Sequence, residues 1–410
     1  MGGGLLQLVA YGAPDVYLTG NPQITFFKVV YRRHTNFAIE SIQQTFNGTA
    51  GFGNTVNVTI SRNGDLINRT YLQLKVPGLG STASTDKYAN YFGLRVLKNV
   101  TVEIGGQQID KHYSDWMYIW NELSLPLGKK HGYESMVGAD GYELAKQATT
   151  AKTSLYIPLE FWFCRNVGLA LPLIALQYHE VKLKIEFEDK SKCVTSGALV
   201  ASNSAFPNGQ FAEASIWVDY IFLDTDERRR FAQLSHEYLI EQLQYSNENV
   251  SSGSGNKFRL NFNHPCKELV WAVKKSDTAD QWYNYTKDSS NFNENIVGNE
   301  LYPAGKNPVS KALLQLNGND RFAERDGSYF NYVQPYQHHT NIPTNKGINV
   351  YSFALKPEEH QPSGTLNMSR IDTAVLSITS DLDASDAKIY AVNYNVLRIM
   401  SGMGGLAYSN

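Results

Sequence analysis

The chain has 410 residues, of which 42% are hydrophobic and 19% charged, enough apolar material for full cores and too little charge for a disordered tail protein. A net charge of −2, from 37 basic and 39 acidic residues, gives no electrostatic basis for gripping a phosphate backbone, so nucleic acid is not an expected direct partner. Cys164, Cys193 and Cys266 form an odd set without CxxC spacing, which excludes a disulfide framework and a zinc knuckle and reads as reduced thiols.

Residues 1–6 lack the basic flank and apolar run of a secretory signal. The longest apolar stretch, 167–176, is broken by Pro172 and is about half of the roughly 20 residues needed to span a bilayer. Residues 1–40 form an aromatic and basic arm carrying Phe26, Phe27, Tyr31, Arg32 and Arg33. From there the pattern is of strands. Val56, Val58 and Ile60 alternate with polar neighbours, as do Val100, Val102 and Ile104. Residues 181–188 set Val181, Leu183, Ile185 and Phe187 against Lys182, Lys184, Glu186 and Glu188, the mark of a half-buried antiparallel strand. Phe258, Leu260 and Phe262 repeat the pattern, and Tyr390, Val392, Tyr394 and Val396 line one face of another strand. Helical signals are few: Tyr113, Trp116, Trp120 and Leu123 at helical spacing behind Ser114, and Asp226 and Glu227 opening a turn after Thr225. These read as connectors in an all-β chain.

Weak internal matches recur in the same order. Ile42-Gln43-Gln44 corresponds to Ile240-Glu241-Gln242, residues 102–106 to 314–318, and Val218-Asp219-Tyr220 to Val392-Asn393-Tyr394. The second match is followed in each copy by an aromatic helix-like segment, 114–120 and 328–333. The pattern predicts two copies of one eight-stranded antiparallel domain at 41–224 and 238–400, joined by a linker helix at 225–237 and followed by a flexible tail at 401–410. Labelled B to I, the first copy's strands are expected near 41–46, 54–62, 70–76, 96–104, 107–110, 155–163, 180–188 and 215–223. Gly105-Gly106 and Asn317-Gly318 supply the positive φ of tight E–F turns. Up-and-down alternation then places the long irregular stretches 77–92, 111–152, 189–213, 274–310 and 325–346 at one end of the molecule. Such domains read as jelly rolls, although strand order alone does not separate them from other sandwiches.

Residues 8–12 (LVAYG), 18–28 (LTGNPQITFFK), 31–33 (YRR), Asn36-Phe37, 104–106 (IGG), 171–176 (LPLIAL), 218–220 (VDY) and 397–402 (LRIMSG) resemble the major capsid proteins of nucleocytoplasmic large DNA viruses, those of algal viruses above all. The resemblance implies a double jelly roll whose homotrimer forms a pseudo-hexagonal capsomer tiling an icosahedral shell. The implied partners are further copies, neighbouring capsomers, minor capsid proteins and an internal membrane. The arm is expected beneath the rolls, opposite the long loops.

Chemistry is sparse. His236-Glu237 lacks the second histidine of HExxH, and His338-His339 reads as a pair of solvated loop residues; no metal or other cofactor is expected. His264-Pro265-Cys266 reads as a strand edge and Arg228-Arg229-Arg230 as a solvated or interface helix. No catalytic constellation appears. Seven N-x-S/T sequons occur, and the resemblance implies glycans on outward loops by a route that does not follow this sequon; Asn284, after Trp282-Tyr283, is the candidate acceptor. The competing reading is a carbohydrate-binding or hydrolytic β-sandwich using Trp271, Trp282 and Tyr283 as sugar platforms.

Overall fold

The computed structural model describes residues 3–23, 29, 31–79, 87–148, 150–195, 206, 209–211, 213–274, 282–287, 295–297, 300–302, 305–382 and 385–408. Met1–Phe37 forms one unit and Ala38–Asn410 a second, compact one. The first unit contains two short helices, Gly3–Val9 and Asp15–Thr19.

In the compact unit, the first eight long strands are β1 (Phe37–Gln44), β2 (Thr55–Thr59), β3 (Leu66–Pro77), β4 (Leu97–Ile104), β5 (Gln107–Tyr113), β6 (Lys152–Pro158), β7 (Val181–Phe187) and β8 (Glu213–Leu223). They pair in two sheets of order β1-β8-β3-β6 and β2-β7-β4-β5. The eight that build the second pair of sheets are β9 (His236–Val250), β10 (Gly253–Arg259), β11 (Pro265–Lys274), β12 (Val309–Leu316), the short β13 (Asn319–Asp320), β14 (Ile348–Ser352), β15 (Ala374–Ser380) and β16 (Ser385–Met400). Their sheets have the order β9-β16-β11-β14 and β10-β15-β12-β13. Both halves therefore have the strand order B-I-D-G over C-H-E-F, and the chain is a double jelly roll. Alternation along β7 buries Val181, Leu183, Ile185 and Phe187, as its sequence requires.

Several boundaries differ from the sequence reading. Strand B begins at Phe37, inside the expected arm. Strand G ends at Pro158, which has no N–H for a further ladder bond, and Trp162–Arg165 is a helical turn that buries Trp162 and Phe163. The stretch 111–152 is mainly helical, with α1 (Ser114–Ser124), α2 (Leu127–Val137) and α3 (Gly141–Lys146). Lys87–Tyr88 pairs with Val194–Thr195, tying two of the expected irregular stretches together. The helix α4 (Thr225–Gln233) runs between the two sets of strands, with Arg228 paired to Asp65 at 2.9 Å. In the second half a π-helical turn, Tyr329–Val333, leads into α5 (Gln334–His338). The expected flexible tail is instead a strand: β17 (Met403–Leu406) folds back on β16 through a turn at Ser401 and Gly402, because the Leu406 and Gly404 backbones find partners in Leu397 and Ile399.

The E–F turns take the left-handed conformation, with φ of +59° and +83° at Gly105 and Gly106 and +50° and +80° at Asn317 and Gly318. The two turns differ in their surroundings. A Cβ on Gly105 would run into the His179 ring, whereas one on Gly106 or Gly318 would meet nothing. His179 Nδ1 lies 2.9 Å from the Gly404 carbonyl oxygen, so the first turn sits against β17. Gly106→Val and Gly318→Val should each cost roughly 1–3 kcal/mol through φ alone. Gly105→Val should cost more and also loosen β17; urea midpoints and proteolysis of residues 401–408 measure both effects.

Candidate functional site

The structure brings together, between its two rolls, a seam of side chains that holds them in one orientation. The β9-β16-β11-β14 sheet explains why it exists. On one face, Leu269, Trp271, Val273, Ile389 and Ala391 join Phe258, Leu314, Leu376 and Ile378 in the second roll's own core. On the other face, Ile240, Val270, Ala272, Ile348, Val350, Tyr390 and Val392 belong to the core of the first roll. The run Leu269-Val270-Trp271-Ala272-Val273 is apolar throughout because neither face meets water. Those seven residues on the outer face contribute on the order of 10 kcal/mol of apolar burial.

Helix α1 fills the junction. It follows β5 directly, and its buried Trp116 ring lies 5.2 Å from that of Tyr390. Beside it, the buried Asp115 accepts hydrogen bonds from Lys388 Nζ and from the Tyr285 hydroxyl, both at 2.5 Å. Burial alone would raise the Asp115 carboxyl, but Lys388 and Lys274 outweigh it and hold the group well below the usual carboxylate range. Ser114 Oγ is 2.7 Å from the Tyr283 hydroxyl, and the Arg95 guanidinium, paired with Glu188 at 3.0 Å, stacks 3.2 Å from the Trp282 ring centre. A second charged group closes the other side. Glu241 on β9 takes Arg165 Nη2 at 2.5 Å and Lys267 Nζ at 2.7 Å. Desolvation opposes its ionisation, yet Arg165, His360 and Lys267 bring the carboxyl down to about 2. At the sheet edge, the Asp110 carboxylate accepts the Leu243 N–H at 3.0 Å, so β5 caps β9.

Several sequence expectations are overturned here. Trp271, Trp282 and Tyr283 are buried, so no sugar can stack on them and the carbohydrate-binding reading fails. Asn284 is only 5% exposed; its Oδ1 accepts the Thr286 N–H and hydroxyl, which removes it as an accessible glycan acceptor. With Tyr285 also buried, part of the expected outer loop 274–310 is core. His339 is not solvated either: its buried ring lies 2.9 Å from Glu268 Oε2 on one side and 2.9 Å from Glu358 Oε1 on the other. His236 lies on β9, with Nε2 2.8 Å from the Phe231 carbonyl oxygen. Cys164, Cys193 and Cys266 are buried thiols. Of the arm's contact candidates, Phe26 and Phe27 lie outside the described residues, while Tyr31, Arg32 and Arg33 are exposed. Among the described residues no group of His, Cys, Asp and Glu is arranged to hold a metal ion.

The whole chain has known counterparts. Residues 25–224 match the family model described as the major capsid protein N-terminus, and residues 227–405 match the large eukaryotic DNA virus major capsid protein. The chain is 53% identical to the major capsid protein of Pyramimonas orientalis virus and 46% identical to that of Paramecium bursaria Chlorella virus 1, over 100% of both chains in each case. Among solved structures it is similar to a chain of the PBCV-1 virus capsid model, with TM-score 0.80, 42% identity and coverage of 94% of this chain and 100% of the other. The Faustovirus major capsid protein shares the fold at 14% identity, with TM-score 0.74 and coverage of 95% and 94%.

Two outcomes test the seam. Lys388→Met strands the buried Asp115 charge and should cost about 3–5 kcal/mol; adding Asp115→Asn should recover part of the loss, read from urea midpoints. For His339, burial lowers the pKa, but Glu268 and Glu358 outweigh it and push the ring up to about 9. A raised folded-state pKa stabilises the fold fully below the ordinary value of about 6.5, and that contribution is lost as pH rises through about 9. Thermal unfolding of the native chain should therefore weaken across that alkaline window, while His339→Gln, less stable at neutral pH, should show a flatter profile.

Proposed function

The chain belongs to the large eukaryotic DNA virus major capsid protein family, and on that premise we propose that it homotrimerises into the pseudo-hexagonal capsomer of an icosahedral shell. It is a structural protein of the virion's capsid, not an enzyme. The observation that carries the trimer is the repetition of one strand order in both halves of the chain, since two similar rolls in each of three copies give six similar corners. Rigidity supports the same reading. A tile must transmit contacts from one edge to another, and the doubly buried sheet locks the rolls of 41–224 and 238–400 into one body.

Antiparallel alternation sorts the rolls' connections. The B–C, D–E, F–G and H–I segments, with α1 to α3 and the Tyr329–His338 helices, share one end; the E–F turns, His179 and β17 share the other. We assign the first end to the outside of the shell and the second to its inside. The arm, Met1–Phe37, is a unit of its own and is read as a contact segment. Leu8, Tyr17, Leu18 and Tyr31 are exposed in the single chain, Tyr31 by 87%, beside the exposed Arg32 and Arg33. Neighbouring capsomers, minor capsid proteins or an internal membrane beneath the shell are the partners this arm suits.

Light scattering of the purified chain should report a trimer at micromolar concentration, and a stable folded monomer would contradict the reading. Deleting residues 1–30 should leave trimers intact while lowering the yield of assembled particles, scored by electron microscopy; undiminished assembly would remove the arm's role.

A further inference from the structure

Residues 353–365, between β14 and Leu366, reach three strands of the β9-β16-β11-β14 sheet in turn. The Glu359 carbonyl oxygen accepts Lys267 Nζ of β11 at 3.2 Å, the His360 carbonyl oxygen accepts the Tyr394 hydroxyl of β16 at 3.0 Å, and the His360 ring stands 3.5 Å from Glu241 of β9. Glu241 is the carboxylate that Arg165 of the first roll also holds. On the side of α5, His338 Nδ1 lies 3.0 Å from the Leu355 carbonyl oxygen, and the Glu358 carboxylate accepts the Thr340 N–H and hydroxyl and faces the His339 ring. Among the described residues no backbone-to-backbone hydrogen bond joins 355–365 to another element; those donated by Leu355 and Glu359 close within the segment, on Ser363 and Lys356. The segment is therefore held by side chains, and His338, His339, Lys267 and Tyr394 among them are titratable. Its outward side is solvated, Leu355 being 72% exposed.

His339 sits between two carboxylates, Nε2 2.9 Å from Glu268 Oε2 and Nδ1 2.9 Å from Glu358 Oε1. A protonated imidazole donates on both sides, whereas a neutral one has a single N–H and leaves one carboxylate facing a lone pair. Access to water decides which carboxylate gives way. Glu268 is 0% exposed in the middle of the sheet, while Glu358 belongs to the segment held only by side chains and can carry its charge out to solvent. We propose that residues 353–365 are a strap latched by His339, which comes off in alkali while both rolls stay folded. Release wets the Glu241 charges that join the rolls. It also withdraws Glu358 from the wall of a groove of about 750 Å³ that Trp120, Tyr133, Glu160 and Arg165 line with it. Burial lowers the His339 pKa, but Glu268 and Glu358 raise it to about 9, so the strap is closed at neutral pH and the latch is lost as pH rises through that value. Lys267 is the competing group, since burial lowers its amine against the pull of Glu241.

A nitroxide on Leu355→Cys in the full chain, whose own three cysteines are buried, reports the strap through its mobility in electron paramagnetic resonance. The label should be restricted at neutral pH and become mobile, reversibly, with a midpoint near pH 9. The open-to-closed ratio should rise by up to about tenfold per pH unit, the limit for one proton. The Val270 amide should stay protected from exchange over the same range, which separates release from unfolding. His339→Gln offers its two neighbours no positive charge and should leave the label mobile at neutral pH, without a transition. Because that substitution alters a buried site, Glu358→Gln on the strap itself gives a second reading: with no charge on the strap's side of the ring, the change in mobility should shrink severalfold. A label that stays restricted until the whole chain unfolds would overturn the proposal. So would a transition of unchanged midpoint and size in the folded His339→Gln and Glu358→Gln chains, which would assign the release to Lys267.

Discussion

The rest of the molecule depends on one sheet, β9-β16-β11-β14, whose strands β11, β14 and the middle of β16 have no face left for water. A jelly roll ordinarily buries the inner face of each sheet and hydrates the outer one. Here the outer face of the second roll's sheet is apolar as well, and it is stable only with α1 and the first roll against it. The rolls are therefore two sandwiches by topology and one body by packing. The ion pairs across the seam play a different part. Asp115 with Lys388, and Glu241 with Arg165, gain little net stability over well-packed apolar residues, since desolvating the charges offsets their attraction. What they exclude is any other alignment, because a shifted interface would strand a charge in the core.

That division of labour suits a shell component. Apolar burial holds the rolls together and buried charges fix their angle, and the long connections at one end contribute to both, through α1 and through Trp282, Tyr283 and Tyr285. At the opposite end the E–F turn, His179 and β17 are bound to one another, so the chain's last strand closes the first roll as well as the second. The Leu406 N–H reaches Gln107 Oε1 across the same junction at 3.3 Å.

The sequence discloses those parts of the fold whose faces differ. Residues 181–188 alternate because β7 has water on one side, and Gly105-Gly106 and Asn317-Gly318 mark turns because few other residues accept positive φ. Strand β11 is harder to read, since its unbroken apolar run has no period; the run itself was the signal that both faces are buried. Helices α2 and α3 carry too few buried residues to show a stripe: Tyr133 and Val137 are the buried pair of α2, and packing rather than pattern holds it. The seam was not legible at all. Nothing near Asp115 in sequence points to Lys388, and His339 resembles its neighbour His338 in every local respect until Glu268 and Glu358 arrive from elsewhere in the chain. Asn284 misleads for the same reason: a polar sequon in an apparent loop is buried because Trp282, Tyr283 and Tyr285 carry it into the core.

The claim that one doubly buried sheet makes the two rolls a single body is tested most directly by native-state hydrogen exchange in increasing denaturant. Amides of Val270 and Tyr390, on the shared sheet, should exchange through the same global opening as those of Leu72 and Ile216 in the first roll, with matching free energies and denaturant slopes. Exchange of the Val270 and Tyr390 amides through a separate opening of lower free energy, with the first roll still protected, would show that the rolls are independent and the account is wrong.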